Sequence, residues 1–275
     1  MKLKYINILC FSGLIGLLSC TQNFLDPTNP SSISSEDVWQ DPKLVEMLVN
    51  EFYNDRPGYD YSNTLDNITD EGRCNYPGDV PNQILVGQWD QVSNPIGFWA
   101  YLQVRKTNEF MSKIDQATVD QDLKIKLKGE TRFLRAFLYF DMVKRYGGVP
   151  IIDKPQALDD ELMVSRNTLE ECFDFIIKEL DLAITELPSN APRGRAGKEA
   201  AMALKGRALL YFASPLYNAN ADLSRWEAAA KANQELINLN KYNLYPDLNT
   251  LWLDKAQVHS ESVYEIQYRL PEKQH

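Results

Sequence analysis

Histidine is nearly absent. Two in 275 residues are too few for a multi-histidine metal site. No basic excess exists either: 29 Lys and Arg face 38 Asp and Glu, a net charge of −9. That excludes the basic footprint of a nucleic-acid binder. No phosphate-binding loop, dinucleotide glycine pattern or zinc spacing occurs, so no cofactor is expected. The apolar run at residues 5–18 falls short of the roughly 20 residues that span a bilayer. What remains is ordinary for a globular protein, 44% hydrophobic and 24% charged, which excludes a wholly disordered chain and a polytopic membrane protein. The length suits one large domain or two small ones.

The N-terminus has its own logic. Lys2 and Lys4 precede the apolar run, which reads as a secretory signal and not as a fold element. The run ends Leu17-Leu18-Ser19-Cys20. That ending resembles the lipobox of bacterial lipoproteins, in which the cysteine thiol takes a diacylglycerol and becomes the first residue. Residues 1–19 are then a signal peptide, Cys20 the lipidation site, and residues 20–36, rich in Ser, Asn, Pro and Thr, a tether. Two or more acyl chains anchor stably. Loss of residues 1–19 removes two lysines and no acid, leaving the mature chain at −11. Cys10 leaves with the signal. Cys74 and Cys172 either pair in an oxidising compartment or stay as small buried hydrophobes.

Residues 37–275 form the expected domain. Apolar spacing predicts helices at 36–54, 97–115, 120–146, 168–187, 197–213 and 224–240. Gly147-Gly148 and Pro150 give the third of these a stop signal. Residues 55–96 hold eight Gly and Pro with many Asn and Asp, a breaker density that excludes a long helix. Residues 261–268 (ESVYEIQY) alternate and read as a strand. The hexamer RAFLYF at 135–140 returns as RALLYF at 207–212, each followed by an amphipathic return helix. This is the logic of tetratricopeptide helical pairs. The fold class is therefore all-α, with tetratricopeptide-like helical pairs, long irregular loops and a little β near the C-terminus.

Several segments together resemble one family. They are Asn23-Phe24-Leu25-Asp26 after Cys20, Ser34 to Trp39, Gln103 to Phe110, Gly129 to Phe140 running into Lys144-Arg145-Tyr146-Gly147-Gly148-Val149-Pro150, Ala203 to Tyr211, and Ser260 to Ile266. In this order they resemble the SusD/RagB outer-membrane lipoproteins. The resemblance implies an all-α body displayed on the surface of a gram-negative outer membrane. It also implies a nutrient ligand, most often a glycan, and a partnership with a SusC-like TonB-dependent transporter. Family members are usually longer, and the part lacking here would be their C-terminal region.

A glycan site needs flat aromatic platforms for sugar C–H faces, with amides and charges for the hydroxyls. The 55–96 excursion supplies Tyr76 and Trp89 as platforms, with Arg73, Asn75 and Asp90 beside them as the candidate ligand-binding residues. Trp39 and Trp99 lie among apolar neighbours and read as core. The adjacent pair Asp70-Glu71 lacks the opposed partner that glycoside hydrolysis needs, and His259 has no assignable nucleophile. A binding protein, not an enzyme, is expected. The alternative is a helical-repeat scaffold that binds a protein or peptide. Arg132, Arg135, Lys144 and Arg145 read as ion-pair partners, Asp159-Asp160-Glu161 as a solvated turn, and residues 193–198 as a cap for the following helix.

Overall fold

A computed structural model describes residues 35–54, 65–70, 72–73, 75–76, 80–88, 90, 97–251 and 260–267. Cys20, Cys74, Glu71, Trp89 and His259 lie outside the described residues. The chain divides into two compact units, Met1–Val38 and Trp39–His275. In the first, the described part is a single turn of helix, α1 (Ser35–Val38).

The second unit begins with α2 (Pro42–Asn54), which buries Val45, Val49 and Phe52 on one stripe. One helix over 36–54 was expected; the structure breaks it. Proline disfavours the helical region for the residue before it, and suits the first helical position itself. The first segment stops at Val38, and Asp41, kept out of the helix by Pro42, opens the next, accepting from the Lys43 N–H at 2.8 Å. Within the excursion stand a 3-10 turn at Leu65–Ile68 and the short α3 (Val80–Leu85). Then comes α4 (Tyr101–Lys113).

Four helices follow. They are α5 (Gln121–Tyr146), α6 (Leu169–Glu186), α7 (Lys198–Ala213) and α8 (Leu223–Ile237). Their starts are encoded locally. Asp120 accepts from the N–H groups of Asp122 and Leu123. Thr168 and Glu171 close a reciprocal capping box. Asp222 accepts from Ser224. The α5 stop is Gly147, at φ 71°, with its N–H on the Val143 carbonyl at 2.9 Å. A last short turn, α9, spans Leu248–Leu251.

The four helices pack in chain order, each on the next. Cross-contacts fix their sense. Arg132 meets Glu186 while Arg135 meets Glu179. Phe173 stacks on Phe212 while Asp181 meets Lys205. Gly206 faces Asn233 while Phe212 faces Arg225. Each neighbour therefore runs antiparallel, as tetratricopeptide-like pairs do. Close approach needs small residues: a Cβ on Gly129 would stand 2.9 Å from the Glu186 Cβ, and one on Gly206 would overlap the Asn233 amide. Helices α2 and α4 pack on the other side of α5. One core runs through α2, α4, α5, α6 and α7, and a smaller one, Leu209 with Ala229 and Ala232, lies between α7 and α8.

The two hexamers agree at Ala136 and Ala208, and at Phe140 and Phe212, all buried. They part elsewhere: Arg135 and Tyr139 are buried, Arg207 and Tyr211 exposed. The expected strand at 261–268 does not form among the described residues. Residues 265–267 carry no turn or helix, but one backbone bond, Asn243 N–H to the Ser260 carbonyl at 2.9 Å, joins this stretch to residues 241–245. Side chains take the place of a ladder there: Glu261 accepts from the Tyr245 N–H, and Ser260 donates to the Asn243 carbonyl. Cys172 is a free, buried thiol that donates to the Val149 carbonyl, and burial pushes its pKa up.

Candidate functional site

The predicted loop residues are only partly gathered. Arg73 and Asn75 are exposed, and Tyr76 is 74% exposed. The carbonyl of Tyr76 accepts from the buried Asn82 amide on α3, which ties the tyrosine to that helix. Asp90 is exposed beyond α3, and Trp89 lies outside the described residues. The carboxylate pair yields little: Asp70 is exposed and Glu71 is not described.

The clearest aromatic platform is one that sequence reasoning placed in the core. Trp99 is 53% exposed. It precedes α4 instead of lying in it. Its ring meets Tyr146 edge-on at 5.2 Å and Tyr101 at 5.0 Å. Both partners are fixed. Tyr101 donates to the Pro150 carbonyl at 2.6 Å, and burial raises its phenol. The Tyr146 hydroxyl accepts from the Phe98 N–H at 2.6 Å. A signal for this was present. Asn94, Pro95 and Gly97 stand just upstream, so the helix starts late and Trp99 stays at the loop edge. Trp39 differs, packing on Phe110 at 5.8 Å as a partly buried core residue.

The turn beneath Trp99 is held from within. Arg135 on α5 donates to Glu179 on α6 through both Nε at 3.0 Å and Nη2 at 2.6 Å, and to the Asn108 side chain at 2.7 Å. The Asn108 amide then donates to the carbonyls of Ile152 at 2.8 Å and Lys154 at 3.3 Å. Tyr139 accepts from the Ile152 N–H at 2.8 Å. Arg132 adds Glu179 and Glu186, each at 3.0 Å. Residues 150–154, which follow the Gly147-Gly148 turn, are thus bolted to α4 and α5. A Cβ on Gly148 would overlap the Asn167 carbonyl oxygen, so that turn also packs against the entry to α6. The expected solvated turn is present at 159–161, where Asp160 and Glu161 accept from nearby backbone N–H groups.

A second buried carboxylate organises the other end of α5. Glu130 accepts from Tyr53 at 3.0 Å and pairs with Arg195 at 2.6 Å. Lys126 stands 4.0 Å away. Burial raises the Glu130 carboxyl, opposed chiefly by Arg195. Burial also raises the Tyr53 phenol strongly. The segment 193–198 is therefore more than a helix cap. Gly197 holds the cap position without a side-chain bond, and Arg195 ties the loop to α2 and α5.

Comparison with known proteins follows the same lines. A SusD-like family model, described as starch-binding and associating with the outer membrane, matches residues 23–210. A SusD-like protein of Bacteroides ovatus is 24% identical over 258 residues, covering 91% of this chain and 47% of the relative. A SusD-like protein of Bacteroides fragilis, known as a crystal structure, superposes with a TM-score of 0.68 at 28% identity, covering 90% of this chain and 48% of that one. A laminarin-binding SusD-like protein has the same fold, with a TM-score of 0.71 at 20% identity over 82% of this chain and 51% of that one. The chain spans about half the length of the curated relatives it matches.

Proposed function

This chain belongs to the SusD-like family, and on that premise we propose that it captures a glycan at the cell surface, with Trp99 as the main stacking platform. The observation that carries this reading is the half-exposed Trp99 ring, held from behind by Tyr101 and Tyr146. A ring fixed before the ligand arrives loses little freedom on binding, and preorganisation of this kind raises affinity. In this reading the exposed Tyr76, with Arg73, Asn75 and Asp90, is a further candidate contact, and Trp89 remains a candidate from its sequence position. The laminarin-binding relative supports a carbohydrate ligand.

In this reading the protein sits on the outer membrane through a lipid on Cys20 and hands its ligand to a SusC-like TonB-dependent transporter. It carries out no chemistry on the glycan. The scaffold alternative draws on Leu210, Tyr211, Leu216, Leu223 and Trp226, apolar side chains exposed around the α7–α8 end, which suit a peptide partner.

Affinity electrophoresis and calorimetry against a glycan and peptide panel test the proposal, using the protein with Trp99→Ala and Tyr76→Ala alongside. Saturable glycan binding that Trp99→Ala weakens at least tenfold, with the unfolding midpoint kept, is the expected result. Glycan binding indifferent to Trp99→Ala removes the platform from the reading. Binding of peptides alone replaces the reading with the scaffold.

A further inference from the structure

Two cavities flank the 260–267 segment. The larger, about 480 Å³, is walled by the 189–197 loop, the start of α7, Lys241-Tyr242 and residues 262–265. That volume lies within the range of about 300–1,000 Å³ typical of small-molecule sites. Its charges are already matched. Arg193 pairs with Glu265, Lys241 with Glu199, and Arg195 with Glu130. A charged ligand would have to break one of these pairs or lie desolvated without a counter-ion, which is costly. A neutral, hydroxyl-rich ligand meets neither penalty. It can use the carboxylate lone pairs and guanidinium protons that the ion pairs leave over.

A further feature points the same way. Tyr242 and Tyr264 line the same space as small residues Ala191, Gly197 and Ala200, giving ring faces beside room for a sugar ring. The cavity is separate from Trp99. Glu130, the partner of Arg195, lies 16 positions before Tyr146 on α5, about 24 Å along the helix axis.

We infer that this cavity is a second binding site, for a short neutral oligosaccharide. The inference rests on the reading of the chain as a glycan-capture protein and adds a subsite to it. The residues that would hold the sugar are Lys241, Tyr242 and Tyr264.

Calorimetry on the full chain tests it. The probes are the neutral maltotriose, laminaritriose and xylotriose and the charged trigalacturonate and sialyllactose. The variants are Tyr242→Ala, which removes a ring, Ala191→Trp, which fills the space, and Trp99→Ala. Each is checked first for an unchanged unfolding midpoint, and Tyr242→Ala alone suffices if Ala191→Trp misfolds. A neutral trisaccharide is expected to bind with a component whose Kd rises at least tenfold in the cavity variants and persists in Trp99→Ala. If the cavity variants leave every binding component unchanged while Trp99→Ala abolishes one, the subsite is refuted and the glycan reading stands. Tighter binding of the charged probes through this cavity overturns the neutral-ligand assignment. Failure of all five probes overturns the glycan reading, and the subsite with it.

Discussion

Arg135→Met puts the buried ion network to the test. Arg135 and Glu179 are each about 5% exposed, with the guanidinium 2.6 Å from the carboxylate. The methionine keeps most of the volume and deletes the charge. Glu179 then retains Arg132 alone, at 3.0 Å, while the Asn108 oxygen loses its donor. Removing one partner of a buried pair costs about 3–5 kcal/mol. The surviving Arg132 contact puts the expected loss near the lower end, about 3 kcal/mol. For a body of this size, 1 kcal/mol shifts the unfolding midpoint by about 2–4 °C, so a fall of roughly 6–12 °C is expected. Urea unfolding followed by circular dichroism gives the free energy directly. The double variant Arg135→Met/Glu179→Met should be less damaged than the sum of its parts, with a coupling of at least about 1 kcal/mol. A single variant within about 1 kcal/mol of the parent, or strict additivity, would show that the pair does not hold α5 to α6.

Three other expectations are open to the same instruments. In the fold, burial raises the Glu130 carboxyl, so its contribution is fullest below the usual glutamate value near 4.3 and is lost as pH rises through the folded value; the midpoint of the parent minus that of Glu130→Gln should fall from pH 4 toward neutrality, and a rising difference would contradict the sign. Gly148→Ala would drive a methyl into the Asn167 carbonyl; a loss of about 1–3 kcal/mol, with weaker glycan binding through the displaced Tyr146, is expected by denaturation and calorimetry. Thr168→Ala removes half of the α6 capping box and should cost about 1 kcal/mol; an unchanged urea midpoint would mean that α6 is fixed by packing alone.

The stacked helices were readable because their signals are local. Asp120, Thr168 and Gly147 mark ends within a turn of where the structure places them, and buried positions such as Cys172, Ile176 and Ala183 repeat at helical spacing. What misled was context. Residues 261–268 alternate as a strand does, yet the alternation serves Tyr264 packing on Phe133 at 5.3 Å and Glu265 pairing with Arg193. The two hexamers look alike, but only Arg135 has a glutamate brought opposite by the next helix. Trp99 sits near apolar residues in sequence, while its exposure depends on where α4 begins. The cavity joins residues some 70 positions apart, such as Arg193 and Glu265, and no periodicity reports such a meeting.

The thin packing of α8 against α7 carries a kinetic consequence. Its buried side chains are two alanines, Ala229 and Ala232, resting on Leu209 of α7, whereas α5 is sheathed by α2, α4 and α6. Short apolar side chains remove little surface from water, so α8 can lift away while the rest stays folded. Amide hydrogens should then exchange by graded local openings, fastest in α8, slower in α7, and in the middle of α5 only through global unfolding.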